Sequence, residues 1–179
     1  MSPTDENLME QVAEGDLEAF GELVRRHQDS AWRIAYHYVG NRAEAEDMAQ
    51  EAFLKILDAA PRYRPTAQFS TYLYRVIANL CMDFHRKRRP RYVENMPSQR
   101  SRADQPDARL DSAERDRAIQ NALEKLPDRQ RMAVVLRYFE DLTLAEIADA
   151  MDTTYKAVER LLARGRSSLG SNLRELFPE

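Results

Sequence analysis

Apolar side chains recur at helical spacing from residue 16 to 40, at Leu17, Phe20, Leu23, Val24, Ala31, Ile34, Ala35 and Tyr38, which predicts a helix or a bent pair. Gly40 breaks the run. Asn41 and Glu44 then stand as N-cap and N3 residues of a helix expected to reach about Leu57. Pro61 and Pro65 bracket a loop, RYRPTAQ. A third helical run follows with Phe69, Leu73, Val76, Ile77 and Leu80, and it should end near Pro90. From Arg91 to Ala108 large apolar groups are sparse, charge is mixed and prolines recur, as in a tether.

Beyond the tether the helical period returns. Asp111 and Glu114 suggest a cap, Ile119, Leu123 and Leu126 share a face, and Pro127 suits the first turn of a new helix. Val134, Val135, Leu136, Tyr138 and Phe139 are its expected packing residues. Residues 143–169 read as a short helix, a turn and a second helix. Thr143 and Glu146 form the cap pair; Leu144, Ile147, Ala148 and Met151 face inward; Asp152, Thr153 and Thr154 turn the chain; Val158, Leu161 and Leu162 anchor the second helix. That is the construction of a helix-turn-helix, whose second helix can enter a major groove. The fold expected is all-α, two small helical domains joined by a flexible linker. Residues 1–93 form the first domain, 94–112 the linker and 113–179 the helix-turn-helix domain.

Composition narrows the class. The 179 residues are 43% apolar and 32% charged, with 5 Gly and 8 Pro, as expected of a chain that folds. One cysteine, Cys81, excludes a disulfide framework, and no stretch approaches the roughly 18 apolar residues that span a bilayer. The opening MSPTDENLMEQ is acidic and polar, without the basic and apolar regions of a secretory signal, so a cytoplasmic location is expected.

Net charge, −3, conceals segregation. Residues 1–58 carry 13 acidic and 5 basic side chains, whereas residues 59–93 carry 8 basic and 1 acidic. A local basic block can grip a polyanion whatever the total, because the nearby potential governs the attraction. FHRKRRPR, residues 84–91, ends a helix that also carries Tyr72, Tyr74, Arg75 and Asn79. Aromatic faces beside cations suit unpaired bases. A core aromatic stripe with a favourable basic helix end is the plainer alternative.

On the second helix of the helix-turn-helix, Lys156, Glu159, Arg160, Gly165 and Arg166 should lie outside the apolar stripe, with Arg164 near its edge. Arg160 could bind a guanine edge and Glu159 could accept from cytosine, while Lys156, Arg164 and Arg166 could meet phosphates. A solvated charged face explains the same residues. Asp47, Gln50, Glu51 and Lys55 recur beside Met48, Ala52 and Leu54, a face suited either to water or to a basic partner helix. Enzymatic readings find little. His27, His37 and His85 are scattered, Cys81 stands alone, and no phosphate-binding glycine loop or hydrolytic motif is present. No catalytic residue, metal ligand or cofactor is assigned.

Two blocks in order carry a family resemblance over almost the whole chain. The first is GDLEAFGELVRRH, AEDMAQEAFLKIL and FSTYLYRVIANLCMDFHRKRR. The second is LEKLPDRQRMAVVLRYFEDLTLAEIADAMDTTYKAVERLLARGRSSL. Together they resemble the bacterial RNA polymerase sigma factors of the extracytoplasmic-function class. The resemblance implies that Asp47, Gln50, Glu51 and Leu54 dock on the clamp coiled coil of core RNA polymerase. It implies that Arg62, Tyr63, Arg64, Phe69, Tyr72, Tyr74, Arg75 and Asn79 bind and melt the minus-ten promoter element, where a non-template base is flipped into a pocket. Arg86, Lys87, Arg88 and Arg89 would hold adjacent backbone. Thr153, Tyr155, Lys156, Glu159, Arg160, Arg164 and Arg166 would read the minus-thirty-five element. Tyr72 stands where the family commonly has tryptophan, and Asp152 and Ala157 replace its common glycine and threonine.

The resemblance further implies promoter DNA as ligand, an anti-sigma factor as regulator, and no covalent chemistry by this chain. No direct membrane insertion is expected; any membrane anchor would belong to the regulator, which could hold the factor near the inner membrane. The competing readings are a helix-turn-helix repressor or activator acting on duplex DNA without polymerase, an acidic helical adaptor that binds only proteins, and an RNA-binding helical protein.

Overall fold

A computed structural model describes residues 3–88 and 110–170. Among these residues all regular structure is helical: α1 (Asp5–Ala13), α2 (Leu17–Val39), α3 (Arg42–Ala59), a 3-10 turn (Ala60–Arg62), α4 (Phe69–Arg88), α5 (Leu110–Glu124), α6 (Asp128–Phe139), α7 (Leu144–Ala150) and α8 (Tyr155–Leu169).

Local chemistry sets most of the ends. Asp16 opens α2 by accepting from the amides of Glu18 and Ala19 at 2.8 and 3.1 Å. Gly40 closes it in the left-handed conformation, φ 73°, its amide donating to the Tyr36 carbonyl. Asn41 then caps α3 by accepting from Glu44. The run from 16 to 40 is thus one helix rather than a bent pair. The opening segment, legible from composition only as acidic and polar, forms α1. Thr4 caps it, and Leu8, Met9 and Val12 are buried.

Two expectations at the second half shift. α5 is already helical at Leu110, ahead of the cap expected at Asp111 and inside the segment assigned to the linker. Pro127 precedes α6 in an extended conformation, ψ 146°, instead of lying within its first turn. The remainder of the expected linker lies outside the described residues.

α1 to α4 pack around Leu23, Ile34, Ala35, Ala52, Ile56, Leu73, Ile77 and Cys81. α6 to α8 pack around Met132 to Leu136, Ile147, Val158 and Leu162, while α5 lies against α2. The two groups meet: α2 touches α5 and α6, and α4 touches α6 and α7. Arg131, 2% exposed, sits at that junction. Its guanidinium donates to the carbonyls of Tyr38 at 3.0 Å and Glu124 at 2.7 Å, and lies 5.1 Å from the Tyr38 ring centroid. Glu140 closes a second contact, accepting from Ser30 Oγ at 2.6 Å and from Arg33 Nε at 2.8 Å.

Candidate docking and nucleic-acid surfaces

α3 presents Asp47, Gln50, Glu51 and Leu54 together on one exposed face, as their spacing of three, four and seven requires. Leu54 is 63% exposed, with Leu17 and Tyr155 one of the exposed large apolar side chains among the described residues. Met48 and Ala52, expected to lend this face apolar character, instead point into the core. What remains outside is acidic with one apolar knob.

Where the 3-10 turn leads into α4, the surface forms a half-open cavity of about 220 Å³ lined by Ala59, Arg62, Tyr63, Arg64, Thr66, Ala67, Tyr72 and Arg75. Tyr63 and Tyr72 form an aromatic wall, ring centroids 5.2 Å apart and tilted by 49°. Burial raises the pKa of both phenols, so both stay protonated near neutrality. Arg64 donates to the Tyr63 carbonyl at 2.9 Å, shaping the loop from inside. Three arginines and no carboxylate line the space, which suits a planar group attached to an anionic backbone. Thr66 and Ala67 join the lining without having been singled out individually from sequence, since small side chains carry no chemical signature there.

Not every expected residue reaches this surface. Phe69 is 1% exposed, its ring 5.1 Å from that of His27, so it is a core residue rather than a DNA contact in this conformation. Tyr74 is half-buried, and its phenol is raised by burial. Arg75 reaches out of the cavity to the second half, donating to the Asp149 carbonyl from Nε at 3.1 Å and Nη2 at 2.9 Å. Asn79 is exposed one turn beyond Arg75. Arg86 and Lys87 are exposed further along α4, Arg86 paired with Asp83 at 2.8 Å. The Arg88 side chain and Arg89 lie outside the described residues.

The helix-turn-helix forms as its caps predict. The Thr143 hydroxyl accepts from the Glu146 amide, and the Glu146 carboxylate accepts from the Thr143 amide at 2.8 Å. The Thr143 hydroxyl also donates to the Glu146 carboxylate at 2.7 Å, and that bond, followed by the one from the Thr143 amide, holds the Glu146 carboxyl below its ordinary range. Asp152 takes the turn at φ 47°, a left-handed conformation that aspartate tolerates better than most residues. Thr154 caps α8 by accepting from Ala157.

Along α8, Tyr155 (54% exposed), Lys156, Glu159, Arg160 and Arg164 face outward, with Thr153 and Arg166 half-buried at its two ends. Arg160 Nε rests on the Lys156 carbonyl at 3.2 Å. Gly165 contradicts its expected place. It is buried against α6, and a Cβ there would lie 2.8 Å from Val134 Cγ2. The glycine thus lets α8 approach α6 closely and orients the outward row of side chains.

Cys81 is buried, which pushes its thiol pKa upward and leaves it unreactive. Among the described residues no group of three or more His, Cys, Asp or Glu could hold a metal ion. Among them also, no helix is long and apolar enough to cross a membrane.

Comparison with known proteins accounts for both halves. Residues 23–91 match Sigma-70 region 2, and residues 116–169 match Sigma-70, region 4. The ECF RNA polymerase sigma factor SigW of Bacillus subtilis is 35% identical over 180 residues, covering 94% of this chain and 96% of that one. The chain belongs to the ECF sigma factor family. The ECF RNA polymerase sigma-E factor of Escherichia coli K12 is 30% identical over 185 residues, covering 97% of this sigma factor and 96% of its own length. Among solved structures, CnrH in complex with the cytosolic domain of CnrY matches with a TM-score of 0.73 and 26% identity, over 96% of this sigma factor and 97% of that chain. In this sigma factor the cavity and α4 fall in the region 2 match, and the helix-turn-helix falls in the region 4 match. α1 lies before both.

Proposed function

We propose that this ECF sigma factor joins core RNA polymerase, directs it to specific promoters and helps open the DNA. Residues 1–93 act as the polymerase-binding and promoter-melting domain, residues 113–179 as the promoter-reading domain, and residues 94–112 as the connection. The observation that carries the reading is the pairing, in one chain, of an arginine-lined aromatic cavity with an exposed basic recognition helix.

Each surface has a distinct task. The exposed face of Asp47, Gln50, Glu51 and Leu54 docks on the basic clamp coiled coil, the carboxylates steering the approach and Leu54 supplying burial. Tyr63 and Tyr72 stack on an unpaired minus-ten base in the cavity while Arg62, Arg64 and Arg75 hold its backbone. Asn79 supplies amide hydrogen bonds, and Arg86 to Arg89 hold adjacent phosphates. On α8, Arg160 and Glu159 read base edges, while Lys156, Arg164 and Arg166 position the helix on phosphates, with Thr153 and Tyr155 at its entry. Binding energy from the captured base favours the open complex. Phosphodiester formation belongs to polymerase, and this chain performs no covalent step. Engagement of Tyr74 and Arg75 with DNA requires α6 and α7 to leave α4, where Arg75 now holds Asp149. The protein acts in the cytoplasm, under an anti-sigma factor that covers these surfaces. CnrH is itself in complex with a second protein, the cytosolic domain of CnrY, which supports a protein partner for this chain.

Promoter opening tests the reading. Permanganate reactivity of unpaired thymines is followed on a genomic promoter library with core polymerase, with and without this chain. The expected result is reactivity requiring both proteins. Asn79→Ala should weaken opening at promoters still bound, and Arg160→Ala should weaken binding to the upstream element. No opening despite verified core binding would refute the initiation reading and favour a regulator acting on duplex DNA.

A further inference from the structure

The loop that closes the cavity, residues 63–68, has little of its own to hold it: among the described contacts within it are the Arg64 bond to the Tyr63 carbonyl and a Thr66 amide bond to the Arg64 carbonyl at 2.8 Å. It ends at the start of α4, where the residue in the capping place is Gln68, whose carbonyl accepts from Tyr72 but whose residue type is a poor N-cap. The missing cap comes from 63 residues away. Glu6 Oε1 on α1 accepts from the Phe69 backbone amide at 3.1 Å in a partly buried contact. A carboxylate at this position also meets the positive end of the α4 dipole.

α1 is itself fixed in place. Asp5 accepts from Arg26 Nη1 at 2.9 Å and lies 2.6 Å from His27 Nε2, both on α2. The His27 ring packs on Phe69, so the same short helix and its anchor grip both the backbone and the side chain at the loop's end. At the loop's other end α1 packs against the 3-10 turn Ala60–Arg62. Tyr63, which begins the loop, feels the negative charge of Glu6 and Asp5 in addition to its own burial. α1 therefore braces both ends of the loop while contributing no side chain to the cavity lining.

We infer that Glu6 is a positioning residue for the cavity between the 3-10 turn and α4, holding the loop that carries Tyr63 and Arg64 in the shape that receives an unpaired nucleotide. The inference rests on the proposed role of that cavity. α1 precedes residues 23–91, so Glu6 lies outside the segment matched to Sigma-70 region 2.

The test uses the full chain bound to core polymerase, with fluorescein-labelled random-sequence single-stranded DNA as probe and the signal of core alone subtracted. Three variants are compared: Glu6→Ala, Glu6→Gln and Arg62→Ala. Loss of one charge-assisted hydrogen bond should weaken single-strand binding by about tenfold in Glu6→Ala. Glu6→Gln, which keeps an acceptor oxygen, should recover most of the loss. Affinity for core polymerase should stay unchanged, and amide exchange of Phe69 and its neighbours should quicken in Glu6→Ala alone. A purely structural role would lower the melting temperature while leaving single-strand affinity of the folded complex intact, and that result would overturn the inference. Weaker binding in Arg62→Ala with none in Glu6→Ala overturns the positioning role and spares the cavity reading. No loss in either variant overturns both.

Discussion

Gly165→Ala tests the packing of α8 on α6. The added Cβ would stand 2.8 Å from Val134 Cγ2 and 3.9 Å from the Gln130 carbonyl oxygen. Non-bonded carbons prefer about 3.5–4.0 Å, so roughly 1 Å of room has to be made. Val134 cannot swing aside cheaply, because it is fully buried and β-branched on a helix, where one rotamer dominates. Overpacking of this kind costs about 1–3 kcal/mol. Alanine in place of glycine inside a helix returns about 1 kcal/mol. The net expectation is destabilisation by up to about 2 kcal/mol. Val134→Ala removes the obstructing methyl groups, and in that background Gly165→Ala should stabilise, by about 1 kcal/mol. Urea denaturation of the four proteins in the double-mutant cycle measures the coupling, expected at about 1–3 kcal/mol. If Gly165→Ala stabilises in both backgrounds, with coupling below about 0.5 kcal/mol, α8 does not press on α6 and the argument fails.

Arg131→Met keeps the length of the side chain and removes donors to three main-chain carbonyls, those of Tyr38, Glu124 and Leu126, and should lower stability by on the order of 3 kcal/mol in thermal unfolding; a loss under about 1 kcal/mol would show that the guanidinium does not tie α6 to α2. His37 is held down to about 4, first by burial, against Phe139 at a ring-centroid distance of 3.6 Å. The unfolded chain therefore binds the extra proton between about pH 6.5 and 4, so stability falls as pH falls through that window. His37→Phe should flatten this part of the melting-temperature profile, and an unchanged slope would refute the assignment. Glu140→Ala removes the acceptor shared by Ser30 and Arg33, a side chain only 3% exposed, and should loosen the contact between the two groups of helices by about 1–3 kcal/mol. Faster amide exchange in α6 and α7, with α3 unchanged, would be the sign; equal rates throughout would contradict it.

The helix-turn-helix and the start of α3 were legible because their determinants are local. Thr143 with Glu146, and Asn41 with Glu44, sit three residues apart, and a cap acts within the first turn whatever lies beyond it. The acidic face of α3 follows from the same helical period, and the basic, aromatic content of the segment after Ala59 points to nucleic acid through composition alone. Periodicity assigns residues to a common face. It does not say which neighbour covers that face.

Only tertiary packing decided that. Phe69 and the cavity tyrosines come from one aromatic-rich stretch, yet Phe69 is buried against His27 of α2 while Tyr72 lines the cavity beside Tyr63, because the helical period turns the two rings to different neighbours. Gly165 looked like an outward residue beside two arginines, and the close approach of α6 makes it a contact. Arg75 finds Asp149 from 74 positions away, and Glu6 finds Phe69 from 63. Such partners leave no mark within a turn or two of themselves. The sequence by itself therefore determined most of the helices, the caps of α3, α7 and α8, the charge pattern and the family, which rest on residues close together along the chain. The cavity, its brace and the covered face of α4 belong to the tertiary structure, since burial of apolar surface brings together groups whose chemistry separately predicts no meeting.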